Sequence, residues 1–244
     1  MKKVAILLAS LVAGSAMFAQ SSEPSSSYKV SADFTYANDY VFRGIQRAGN
    51  SFQPSIEVTL DEFYVGFWTN QPITKHQNNE LDIYVGYKQP LTDNLQLDVI
   101  ATYYWYPEAR TGLGETKKTY EAGVGATYTF RGISASVYGY YDFRLEATTL
   151  QASAGYSFPI EPLGTSIDFN VYLGTVSARD AAPDALRTGQ KEAYNYHGAD
   201  LTLPYRLNDN AIVHAGVHYA SNDGEPLWAD DNKLWFTLGL TIGF

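Results

Sequence analysis

The 244-residue sequence has no cysteine. That excludes a disulfide framework and thiolate metal sites, so the main fold itself must supply the stability. Basic residues are also scarce: 17 Lys+Arg stand against 26 Asp+Glu, a formal net charge of −9, which argues against nucleic acid as a partner. Helical periodicity is missing, and so is any apolar run of the ~20 residues that a membrane-spanning helix needs. The longest run, Val4 to Phe18, sits between Lys2 and Lys3 on one side and small residues up to Ala19 on the other. A charged start, a short apolar core and a small-residue exit make an export signal, so residues 1–19 are expected to be removed. Their loss takes away two lysines and no acid, which moves the formal charge to −11. Residues 20–27 form a Ser-rich segment, and no later stretch marks a boundary, so one domain is expected over 28–244.

What the sequence does have is alternation. From Tyr28 onward almost every segment switches between apolar and polar with period two, the mark of strands with one face against an oily surroundings. In the closing segment Leu234, Phe236, Leu238, Leu240, Ile242 and Phe244 interleave with Trp235, Thr237, Gly239, Thr241 and Gly243. Twelve such segments can be counted: 28–42, 52–60, 63–70, 80–89, 95–106, 118–130, 133–143, 148–158, 166–177, 192–203, 211–220 and 233–244. Their connections alternate between short (61–62, 90–94, 131–132, 159–165, 204–210) and longer, with 144–147 as a short exception. An even strand number with short periplasmic turns and long outer loops is the grammar of a bacterial outer-membrane barrel.

A soluble sandwich also alternates, so the choice rests on the second face, which is too polar to be a core. By parity it carries Asp33, Asp39, Glu57, Asp82, Asp98, Glu121, Asp142, Asp168 and Asp200. Aromatics on the apolar face gather at strand ends, with Tyr36, Tyr40, Phe42, Tyr103, Trp105, Tyr141 and Phe143 near one rim and Tyr128, Phe130, Phe158 and Phe244 near the other. That is the pattern of two interfacial girdles. The expected fold is therefore all-β, a transmembrane antiparallel up-and-down barrel of twelve strands, closed because hydrocarbon leaves no backbone group unsatisfied.

The chain reads DYVFRG from Asp39, QPSIEV from Gln53, FYVGFW from Phe63, NELDIYVGY from Asn79, YYWYPEA from Tyr103 and YEAGVGATY from Tyr120. This series, in this order, resembles the TorF-type porin family of Gram-negative bacteria. The resemblance implies an outer-membrane location and a channel role without an assigned substrate, and it supplies no catalytic or ligand residues. The terminal Phe244 likewise resembles the C-terminal signal read by the barrel-insertion machinery.

The candidate chemistry is thin. His218 and Ser221 with Asn222 resemble the His and Ser of outer-membrane lipid hydrolases, but three residues apart in a regular strand they point to opposite faces. His214 and His218 lie about 13 Å apart at strand rise, too far to share a metal. No cofactor or metal is expected. Eleven inward aromatics, Tyr64, Trp68, Tyr84, Tyr104, Tyr106, Tyr138, Tyr140, Tyr172, Tyr194, Tyr196 and Trp235, read either as a stacking track or as side chains filling a barrel of middle width. The glycines of AGVGA read as relief for a curved wall.

Three functions remain: a passive channel for small hydrophilic solutes, a non-conducting structural or adhesive barrel, and, on the His218 and Ser221 pair, a lipid hydrolase. The nine acids above, against Lys88 inside and Arg43 near the mouth, predict cation preference. Eleven of the fifteen basic residues beyond the signal, from Arg43 and Arg47 to Lys233, fall in or beside the outer loops, where they could meet lipopolysaccharide phosphates.

Overall fold

The computed structural model describes residues 28–74, 77–110, 116–178, 193–223 and 232–244; the export signal and the Ser-rich segment lie outside the described residues. β-Branched and aromatic residues at period two draw the chain into β1 (Tyr28–Ala37), β2 (Tyr40–Phe42), β3 (Ile45–Ala48), β4 (Ser51–Leu60), β5 (Phe63–Pro72), β6 (Glu80–Pro90) and β7 (Leu95–Trp105). They continue into β8 (Lys118–Phe130), β9 (Ile133–Asp142), β10 (Ala147–Ile160), β11 (Thr165–Ala178), β12 (Tyr194–Asn208), β13 (Ala211–Asn222) and β14 (Asn232–Gly243). Twelve of these, β1 and β4 to β14, form one closed antiparallel barrel in sequence order, with β1 joining β14 from Ser31↔Gly243 to Ala37↔Thr237. The remaining two, β2 and β3, pair only with each other.

The expected strand number therefore holds, and the short connection after Asp142 is a true turn at 143–146. Two details differ. The first strand stops at Ala37 instead of running to residue 42, because the chain bends at Asn38 and Asp39 and turns inward. The segment 204–210 is mostly strand, since β12 continues to Asn208 through a bulge between Arg206 and Asn208 and leaves only 209–210 as the turn. Tight turns at 61–62 and 131–132 are set by Asp61 at φ 51° and by Arg131 and Gly132 at 52° and 84°, the mirror-image geometry that suits a right-twisted hairpin.

The two faces separate as the alternation requires. On β14, Leu238 is 56% exposed while Thr237 is 8% exposed. Val137, Phe143, Leu150, Leu173 and Phe236 are all more than half exposed, and Asp33, Asp98, Glu121, His214 and Thr241 are buried. An uninterrupted outward band of this kind is stable in lipid and not in water. The chain is an outer-membrane β-barrel.

Candidate functional site

The inner face holds its ionisable residues in defined pairs. Asp98 accepts hydrogen bonds from the hydroxyls of Tyr64 at 2.9 Å and Tyr138 at 3.1 Å. Glu57 accepts from Tyr84 at 3.0 Å, and the Lys88 ammonium lies 4.3 Å from the Tyr64 ring centre. Asp142 accepts from Thr119 at 2.5 Å and from the backbone N–H groups of Arg144 and Leu145. Asp168 takes the Ser166 hydroxyl at 2.8 Å, and that of Ser157 as well.

Two histidines meet two acids, one pair through closure of the sheet and the other across the β12–β13 ladder. His214 Nε2 lies 2.8 Å from Asp33, which also receives Thr241 at 2.6 Å. His218 Nδ1 lies 2.9 Å from Asp200, and its Nε2 lies 2.9 Å from the Thr237 hydroxyl. Both nitrogens of His218 are thus engaged by groups other than Ser221, and the hydrolase pair does not form.

Several of the inward tyrosines lie along the wall. Tyr64 stands opposite Gly86 and Tyr84 opposite Gly66, each ring covering the glycine of the neighbouring strand. Tyr138 covers Gly125 in the same way, and Tyr172 covers Gly198. These glycines are there for close ring approach, a reason beyond the curvature relief read from the sequence. A methyl at Gly125 would sit 2.2 Å from the Tyr138 ring. Gly125→Ala is therefore expected to displace that ring, break its bond to Asp98 and lower the unfolding temperature on heat-modifiability gels. Gly139→Ala, whose nearest neighbour is Leu150 at 3.3 Å, should be nearly silent.

The largest departure from the sequence reading is the hairpin of β2 and β3. It folds into the lumen and touches strands on both sides. Tyr40 packs on Trp68 of β5 at 5.2 Å and Phe42 on Tyr104 of β7 at 6.4 Å. Ile45 is buried against Tyr194 and Tyr196 of β12, and Asn222 of β13 donates to the Gly44 carbonyl at 2.9 Å. The turn is Arg43–Gly44, at φ 50° and 78°. A bulky residue with positive φ is uncommon, and here it aims its side chain at the far wall. The Arg43 guanidinium grips Glu121 of β8 through two bonds of 2.7 and 2.8 Å and lies 4.9 Å from the Tyr140 ring centre.

Several expectations are corrected by this hairpin. Arg43 and Arg47 do not belong to the outer surface: Arg43 is in the lumen and Arg47 has a buried Nη1 without a hydrogen-bond partner. Tyr40 and Phe42 are inner side chains, not members of the lipid-facing girdle. Asp39 lies in the bend before the hairpin, bound by Asn38 at 2.9 Å and by Gln46, so it is not a strand-borne lumen acid. Asp82 is on the inner face of β6, between Trp68 and Tyr104 in the ladder. Glu80, which sequence parity at a strand start did not single out, is buried two residues before it and accepts from Tyr106 at 3.2 Å. Among the loop bases, Lys75, Arg179, Arg187 and Lys191 lie outside the described residues.

The same barrel occurs in solved structures. A KdgM porin superposes with a TM-score of 0.58 at 10% identity, over 88% of this chain and 99% of that one. A NanC porin gives 0.54 at 10% identity over 87% and 98%. The COG4313 outer membrane channel from Pseudomonas putida F1 gives 0.53 at 10% identity over 91% and 97%. At that identity the likeness is one of fold. No curated protein matches the sequence. Residues 21–164, more than half of the chain, match the family described as bacterial protein of unknown function, Gcw_chp, and the chain belongs to that family.

Proposed function

We propose that this barrel is a passive channel for small hydrophilic solutes, preferring cations, with the β2–β3 hairpin as its constriction. The observation that carries this reading is the inner face itself: acids on eight of the twelve barrel strands, with several tyrosines laid against the wall by facing glycines. The resemblance to TorF-type porins points the same way. So does the shared fold with KdgM, NanC and the COG4313 channel.

The charge of the lumen supports a preference for cations. Asp33, Glu57, Glu80, Asp82, Asp98, Glu121, Asp142, Asp168 and Asp200 face Arg43, Arg47, Lys88, Arg206 and two histidines. The surplus is negative even with Glu121 compensated by Arg43. One KdgM porin structure is a complex with oligogalacturonate, a polycarboxylate, and such a polyanion would be repelled here. Around the outer rim, Arg110, Lys117, Lys118, Arg144 and Lys233 suit lipopolysaccharide phosphates. Phe244 ends the strand offered to the insertion machinery. The export signal at residues 1–19 and a single barrel domain over 28–244 complete this reading.

Reconstituted in planar bilayers under a potassium chloride gradient, the protein should give a reversal potential on the cation side, and Asp98→Asn with Glu57→Gln should shift it toward zero. Anion selectivity would refute the charge assignment. A second reading, a plugged and non-conducting barrel, is favoured by one observation, the hairpin that crosses the lumen, and absence of any conductance would decide for it.

A further inference from the structure

Among the described residues, one inner carboxylate has a buried oxygen without a hydrogen-bond partner. Asp82 is 4% exposed, and its Oδ1 is buried without a hydrogen-bond partner. Two other acids share its neighbourhood, Glu80 and Glu121, both close enough to act on it electrostatically. Arg43 is committed to Glu121 through both of its terminal nitrogens, and Arg47 acts on Glu80. The three acids outnumber the two guanidiniums, and the buried oxygen left without a hydrogen bond is on Asp82. A buried carboxylate without a partner is costly.

The surroundings of Asp82 say what kind of partner fits. Trp68 and Tyr104 are its direct ladder neighbours on either side, and Tyr84 follows two residues along the same face. Tyr40 of the hairpin closes over Trp68 at 5.2 Å. A carboxylate walled by aromatic rings matches an organic ammonium ion, whose charge meets the acid while its methyl or methylene groups lie on the ring faces. A bare metal ion does not fit as well, since no cluster of three ligating side chains suited to one occurs among the described residues.

We infer that Asp82, with Trp68, Tyr104 and Tyr40, forms a binding site for small organic ammonium ions in the lumen beside the hairpin. The inference rests on the channel reading for its biological use, but the site can be tested without conduction. Choline chloride titrated calorimetrically into the detergent-folded barrel should give saturable binding. Asp82→Asn should abolish it, and Trp68→Leu, which keeps the charge, should weaken it about tenfold. Heat-modifiability gels establish that each variant is folded, and Glu161→Gln, which removes an acid at the turn between β10 and β11, should bind as the parent does. No saturable heat with the parent, or equal binding by Asp82→Asn, overturns the site. In bilayers choline should reduce the potassium current while glucose at the same concentration does not. Binding without any potassium current would leave the site standing and remove the channel reading, and current that choline leaves untouched would remove the site alone.

Discussion

Glu121→Ala should raise the single-channel conductance severalfold. The side chains of Arg43 and Glu121 are 12% and 3% exposed, so their pair is far from the well-solvated surface bridges that contribute little. Removing one partner of a buried pair costs about 3–5 kcal/mol, because the other charge is left stranded. The other anchors of the hairpin are of comparable size together: two ring contacts at ~0.5–1.5 kcal/mol each and Ile45 at ~1.5–3 kcal/mol. Loss of the pair therefore shifts the hairpin out of the lumen for a substantial part of the time. Replacing residues 40–48 by a Gly-Ser linker should reach the same open level. The charge exchange Arg43→Glu with Glu121→Arg should recover part of the closed behaviour. Unchanged conductance in Glu121→Ala and in the linker variant alike would show that the hairpin does not limit flow.

Leu238→Arg should prevent assembly. Leu238 faces outward near the middle of β14, opposite Tyr36 of β1 and Ala215 of β13, at the seam that closes the barrel. A charge at the midplane of the lipid face costs ~2–4 kcal/mol, and here the cost falls on the strand that completes the sheet. Thr237→Arg, one residue away, faces the lumen and loses only the contact to His218. It should assemble and shift the reversal potential toward anions. Equal heat-modifiability of the two variants would sink the face assignment.

Most of the barrel was legible because period-two alternation is a local property. Each strand declares its own two faces, so Leu238 and Thr237 could be sorted without knowing their neighbours. The inward hairpin was not legible for the same reason. Residues 40–48 alternate whether they continue β1 or fold back on themselves, and only the turn distinguishes the two. That signal was present: Phe42-Arg43-Gly44-Ile45 repeats the Phe130-Arg131-Gly132-Ile133 that makes the turn from β8 to β9. Pairings of the lumen charges were beyond reach, since Arg43 meets Glu121 across 78 residues and His214 meets Asp33 across 181. Such contacts depend on closure and on the stagger of the strands. Asp33 and His214 meet only because β1 joins β14.

The tyrosine–glycine pairs also have a meaning for how the wall is assembled. In β5 and β6 the pairs are reciprocal, Tyr64 on Gly86 and Gly66 under Tyr84. Sliding one strand by a single residue turns every side chain to the wrong face. Sliding by two in one direction would set Tyr64 against Tyr84, two rings competing for one space. Sliding by two in the other would set Gly66 against Gly86 and leave a bare notch. β11 and β12 repeat the arrangement with Tyr172 on Gly198 and Gly174 under Tyr196. A misaligned strand therefore meets a clash or a gap at once, and the barrel carries its own proofreading of register in two of its seams.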